Sequence, residues 1–164
     1  MGKQKEKENK TNAMRILDRM GLPYTVNYYA CDEFIDGVHI ADMLGQSYEQ
    51  TFKTLVSVGK SGAYYVFVLP VAEELDLKAA ARSVGEKNVE LLHVKDIKNV
   101  TGYIRGGCTA IGMKKQYPTV IDETCQLFDE IIVSGGALGV QLFLSPDVFL
   151  KAAGAKTADI IMRA

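Results

Sequence analysis

Residues 102–115 read GYIRGGCTAIGMKK and combine the parts of a ligand-binding loop. Gly106 and Gly107 carry no Cβ, so backbone N–H groups there can come close to a neighbouring atom. Arg105, Lys114 and Lys115 are cations suited to phosphate. The same glycines would also serve as a plain turn between two strands. Both readings stand on this stretch alone. Cys108 could act as a nucleophile, but a thiol needs an activating base, and neither His39 nor His93 is near it in sequence.

Lys53 is the second candidate. In the run TFKTLVSV, β alternation puts Phe52, Thr54, Val56 and Val58 on one face and Lys53, Leu55 and Ser57 on the other. A lysine so placed either guards a sheet edge or reaches into a cleft to hold an anionic or carbonyl group. Two apparent motifs reduce to chance. Ser57–Lys60 fits S-x-x-K without its companion motifs. GGALG at 135–139 is neither G-x-G-x-x-G nor a Walker A loop and reads as a turn.

Positioning these residues is within reach of one domain. A chain of 164 residues buries about two-thirds of its unfolded surface. Hydrophobic residues at 48% and charged residues at 24% are ordinary for a globular protein. A net charge of −1 argues against a general nucleic-acid coat while leaving room for a local basic cleft. Cys31, Cys108 and Cys125 are odd in number and lack C-x-x-C spacing, and the two histidines have no H-E-x-x-H company. The expectation is reduced thiols, no metal and no cofactor. No apolar run approaches the roughly 20 residues of a membrane span, and no secretory h-region opens the chain. Lys5 and Glu6 argue against the Met-Gly start being a myristoylation site. A cytoplasmic protein is expected, with residues 1–10 as a disordered charged tail and 11–164 as the domain.

Helical spacing of Ala13, Ile16, Leu17 and Met20, stopped by Gly21, predicts a first helix. YTVNYYA predicts a strand, and a short helix over 38–44 stops at Gly45. TFKTLVSV and AYYVFVLP, joined by GKSG, predict a hairpin. Asp76 caps a helix over 77–84. VELLHV, PTVID, DEIIVSG, VQLFLS and ADIIM predict strands, and KDIKNV predicts a short helix. Ser145 with Pro146 starts a last helix that Gly154 ends. Strands outnumber helices and are mostly joined as hairpins. The class is α+β with a mixed or antiparallel sheet.

FKTLV, VFVLPVAEELDLKAAA, TGYIRGGCTAIGMKK, TVIDE and IIVSGG occur here in one order over residues 11–163. In this the chain resembles the YbaK-like (YbaK/EbsC) aminoacyl-tRNA deacylases, freestanding relatives of the prolyl-tRNA synthetase editing domain. The resemblance implies a single α+β domain with a central mixed, barrel-like sheet surrounded by helices. It implies cleavage of the ester of mischarged tRNA, chiefly Cys-tRNA(Pro), with Ala-tRNA(Pro) the substrate of a sister branch. In the first branch the substrate's own thiol attacks its carbonyl; in the second, water must do so.

Carried over, the resemblance implies Lys53 as the residue that positions the terminal adenosine or its phosphate. The backbone N–H groups of Gly106, Gly107 and Cys108 would face the carbonyl oxygen. Tyr29, Thr54, Thr109, Ala110, Ser134, Gly135 and Gly136 would contact the substrate, and adjacent Tyr28 competes with Tyr29 for its place. Arg105, Lys114 and Lys115 would meet the tRNA. Gly139 and Gln141 fall in the same turn region. Ala110 stands where the family carries proline, and Thr109 where it carries serine. The implied partners are the acceptor end of mischarged tRNA and a prolyl- or cysteinyl-tRNA synthetase. A non-catalytic RNA-binding or regulatory module is the alternative of another class.

Overall fold

The computed structural model describes residues 10–163; most of the charged tail, residues 1–9, lies outside the described residues. Lys10 is described and pairs with Asp18. Helix α1, Asn12–Met20, starts at Thr11, whose hydroxyl accepts from the Met14 N–H at 3.3 Å, and ends at Gly21 with φ 69°. Ala13, Met14 and Leu17 are buried, whereas Met20 is half exposed. Strand β1 is Thr25–Tyr28, and helix α2, Gly37–Leu44, is capped by the Asp36 carboxylate.

The predicted hairpin forms as β2, Phe52–Gly59, and β3, Tyr64–Pro70, with Lys53 opposite Leu69 and Leu55 opposite Phe67. Alternation along β2 holds. Phe52 joins one core with Val66 and Val68, and Leu55 packs on another with Phe67 and Leu69. Helix α3, Leu77–Ser83, follows its Asp76 cap. Strand β4 is only Val89–Leu91, shorter than VELLHV suggests. After Leu91 the chain turns into a 3-10 turn, Val94–Asp96, and helix α4, Ile97–Thr101, so Val94 leaves the sheet, while the Leu92 N–H still donates to the Val56 carbonyl at 2.8 Å. Next come β5 (Thr119–Asp122), β6 (Ile131–Ser134), β7 (Val140–Leu144), helix α5 (Pro146–Ala153) and β8 (Ala155–Ala158).

The last strand corrects the sequence reading. Gly154, at φ 61°, ends α5 and feeds the chain straight into β8, which pairs in parallel with β5. Of the expected strand ADIIM only Ala158 belongs to β8, and Ile161 makes one isolated bridge to Leu75. The buried Asp122 carboxylate holds this exit by accepting from the Ile160 N–H at 3.0 Å.

The strands form two sheets. One is antiparallel, ordered β1-β7-β6; the other is mixed, ordered β4-β2-β3-β5-β8, with β3, β5 and β8 parallel. A Thr51–Ile132 bridge, with the Ile132 N–H donating to the Gln50 carbonyl at 3.0 Å, seams them. The sheet is therefore mixed as expected, but it is two seamed sheets and not a closed barrel. Fold class α+β stands. The larger core fills the space between the sheets, α1 and α5, and the smaller lies under α3. The seam is what brings β2, with Lys53, beside β6, with Ser134.

Candidate active site

The two glycine loops are anchored by the start of α1. Thr11 donates its hydroxyl to the Gly135 carbonyl at 2.6 Å, and Asn12 donates to the Gly112 carbonyl at 2.7 Å. The loops also dock on each other. A Cβ at Gly107 would stand 2.8–3.1 Å from the backbone of Ala137, so only glycine lets the two chains approach so closely. Gly106, at φ 87°, sits against Leu138 and Phe34.

Beside these loops opens a cleft of about 450 Å³. It is large enough for a small organic group. Tyr29, Lys53, Thr54, Arg105, Gly106, Cys108 and Ser134 all line it. Of the adjacent pair, Tyr29 lines the cleft, while Tyr28 ends β1 and is exposed. The Tyr29 N–H donates to the Gly139 carbonyl at 2.9 Å, and burial raises its phenol above the ordinary range.

Lys53 is half-buried, and its Nζ donates to the Val71 carbonyl at 3.3 Å. Desolvation lowers its pKa, opposed by the negative charges of Glu74, Glu73 and Asp36. Val71 in turn packs on Gly37, where a Cβ would meet its Cγ1 at 2.5 Å, so the start of α2 presses against the lysine's acceptor. The Asp36 carboxylate accepts from the His39 N–H at 3.0 Å and lies 2.6 Å from His39 Nδ1, which keeps its pKa low.

Ser134 carries an unsatisfied group. Its Oγ is buried with no hydrogen-bond partner among the described residues, and the residue lines the cleft. An orphaned buried hydroxyl is costly, and here a bound molecule could satisfy it. Cys108 behaves oppositely. Burial pushes its thiol up to about 11, partly offset by a hydrogen bond from Thr101, so it stays protonated at neutral pH.

The loop's three proposed donors are not equivalent. The Gly107 N–H is already spent on the Ile104 carbonyl at 3.0 Å. The N–H groups of Gly106 and Cys108 have no acceptor among the described residues, and both residues line the cleft. Two free donors remain, and these can face an oxyanion.

Several expected residues lie elsewhere. Gly107, Gly135 and Gly136 are absent from the cleft wall and act in loop docking. Thr109 and Ala110 are buried; Ala110 belongs to the larger core, and the Thr109 hydroxyl accepts from the Ile111 N–H at 3.4 Å. Neither lines the cleft, because after Cys108 the chain runs inward through Thr109, Ala110 and Ile111. Lys114 donates to the Asn99 carbonyl at 3.1 Å outside the cleft, and Lys115 is exposed beside it.

The structure adds residues that the motifs did not single out. Phe34 lies under the Arg105 guanidinium, 3.8 Å from ring centroid to carbon, and lines the cleft with Asp36. Gln141, which the sequence names only as part of the turn region, stands opposite Ser134 in the β6–β7 pair and also lines the cleft. Its amide pairs reciprocally with Gln46, at 2.8 and 3.0 Å, and accepts from Asn27. Leu91, Leu92, Val94 and Ile97 form an apolar wall. An aromatic flanked by acids in CDEFIDG was the one available signal for Phe34.

Comparison with known proteins identifies the family and the fold. The model of the aminoacyl-tRNA editing domain matches residues 38–152. A relative from Enterococcus faecalis (strain ATCC 700802 / V583), named "Putative Cys-tRNA(Pro)/Cys-tRNA(Cys) deacylase EbsC", is 43% identical over 95% of this chain and 96% of its own. A solved structure described as "a putative trans-editing enzyme for prolyl tRNA synthetase" superposes with TM-score 0.79 at 25% identity, covering 93% of this chain and 96% of that one. The hypothetical protein APE2540 shares the fold with TM-score 0.84 at 22% identity, over 92% of this chain and 99% of that one. On sequence and fold together, this chain belongs to the aminoacyl-tRNA editing domain family.

Proposed function

We propose that the protein is a trans-editing deacylase that cleaves the ester of mischarged Cys-tRNA(Pro), and of Cys-tRNA(Cys), in the cytoplasm. The observation that carries this reading is the meeting of Lys53 with two unengaged N–H donors, those of Gly106 and Cys108, in one cleft. An aminoacyl ester is already activated, so holding its carbonyl and stabilising the developing negative charge suffices. The 43% identity to a relative named for this activity supports the substrate assignment.

The nucleophile is the substrate's own thiol. Its sulfur loses a proton and bonds to the carbonyl carbon, while the two free N–H groups hold the oxyanion. The ester C–O bond then breaks, the ribose oxygen takes a proton, and tRNA leaves with a cyclic thiolactone of cysteine. Two features favour this over attack by a protein group. The Cys108 thiol is protonated at neutral pH, and no imidazole lines the cleft. Lys53 positions the terminal adenosine or its phosphate, and the Ser134 hydroxyl meets a polar atom of the aminoacyl group. A prolyl- or cysteinyl-tRNA synthetase acts as the protein's partner.

The test is deacylation of Cys-tRNA(Pro) beside a tRNA carrying S-methylcysteine in place of cysteine. Thiol attack predicts loss of the first only. Equal loss of both would assign the attack to water.

A further inference from the structure

The cleft wall carries charge of both signs. The stretch 94–115 carries five cations, Lys95, Lys98, Arg105, Lys114 and Lys115, against one carboxylate, Asp96, in a chain of net charge −1. All five cations are exposed, and none forms an ion pair with a carboxylate among the described residues. Of the chain's carboxylates, Asp36 lines the cleft itself. Glu74, Glu73 and Asp36 are near enough to act on Lys53.

Lys95 and Lys98 have a particular place in the basic stretch. They follow Val94 and Ile97, which line the cleft, across the 3-10 turn and the first residues of α4. Residues three apart on a helical segment share a face, with Cβ atoms roughly 5–6 Å apart. One flank of this segment thus closes the cleft with apolar side chains while the next presents two unpaired ammonium groups to solvent.

We infer that Lys95 and Lys98, continuing from Arg105, form the docking wall for the single-stranded phosphate backbone of the tRNA 3′ end. This rests on the deacylase reading for the identity of the RNA, and adds the direction from which it enters. Phosphates passing Lys95 and Lys98 are attracted, and phosphates passing Asp36, Glu73 and Glu74 are repelled. The terminal aminoacyl group is thereby delivered to Lys53 from the α4 side. The two lysines act on binding and leave the chemical step alone.

The experiment measures binding of an uncharged RNA hairpin ending in a single-stranded CCA, across a salt series. The proteins are wild type, Lys95→Ala/Lys98→Ala, and a charge-matched control, Lys60→Ala/Lys151→Ala, on elements outside the cleft wall. The docking wall predicts about tenfold weaker binding for the first variant and a salt slope shallower by about 1.4, at ~0.7 per lost phosphate contact. The control should match wild type. Unchanged affinity and slope in the Lys95/Lys98 variant, equal weakening in the control, or wild-type binding that is flat in salt would each overturn the inference. Deacylation by the wild type, assayed separately, reports on the editing reading: its absence beside an intact lysine effect strikes that reading alone.

Discussion

The Lys53 ammonium donates to the Val71 carbonyl at 3.3 Å, which ties the one cation of β2 to the wall against which α2 packs. That bond is long and is the one hydrogen bond the Lys53 side chain makes among the described residues. The ammonium has further donors to give a ligand. It is held in place without being consumed.

Lys53→Ala should therefore remove deacylation, by at least about a hundredfold, the scale of losing a positioned electrostatic group. The fold should persist, since the side chain is half-buried and gives up a single long bond. Single-turnover deacylation and a thermal melt check both halves. Wild-type turnover in this variant would remove Lys53 from the mechanism.

Lys53 also gives a pH signature in stability. Burial lowers its folded pKa below the unfolded value, so in the interval between the two the unfolded chain binds more protons. Stability then rises with pH through that interval, and below it the buried charge is a standing cost. Lys53→Met should be more stable than wild type at neutral pH, and the difference should shrink as pH approaches the ordinary lysine range. Chemical denaturation at a series of pH values reads this out; a gap that widens with pH would contradict it.

Ser134→Ala separates stability from activity. The orphaned Oγ is a destabilising feature of the ligand-free protein, and its removal should raise stability by about 1 kcal/mol, the low end for an unsatisfied buried group. Deacylation should fall at the same time, because the bound substrate loses its partner. A variant that is both less stable and fully active would show that the hydroxyl is satisfied in another way.

Cys108→Ser should keep activity within a few-fold of wild type, because a thiol at about 11 contributes almost no thiolate at pH 7. Loss of all turnover with the fold intact would return the cysteine to the role of nucleophile. Gly107→Ala, by contrast, should destabilise by about 1–3 kcal/mol and reduce activity, since its Cβ would press into the Ala137 backbone and push the loops apart.

Much of this was legible in the sequence because it depends on local chemistry. The hairpin, the Asp76 and Ser145 caps and the glycine stops follow from residue types at fixed offsets, and Lys53 stands out as a cation in an apolar strand. What escaped depends on tertiary contacts. ADIIM has strand composition, yet the parallel slot beside β5 is taken by AKTA, which follows α5 directly. The glycine loop reads as one functional string, but its residues divide. Gly106 and Cys108 face the cleft, Gly107 spends its N–H on Ile104, and Ala110 enters the core. Phe34 and Asp36 reach the site from one segment and Gln141 from another, so no spacing rule could have grouped them.

The central claim is that Lys53 and the Gly106–Cys108 donors form a deacylation site that acts through the substrate's thiol. Its most direct test is release of labelled amino acid from Cys-tRNA(Pro) and Ala-tRNA(Pro) in parallel, by wild type and Lys53→Ala. Wild type should release cysteine and spare alanine, and Lys53→Ala should release neither. Release of alanine at a comparable rate, or cysteine release that survives the loss of Lys53, would contradict it.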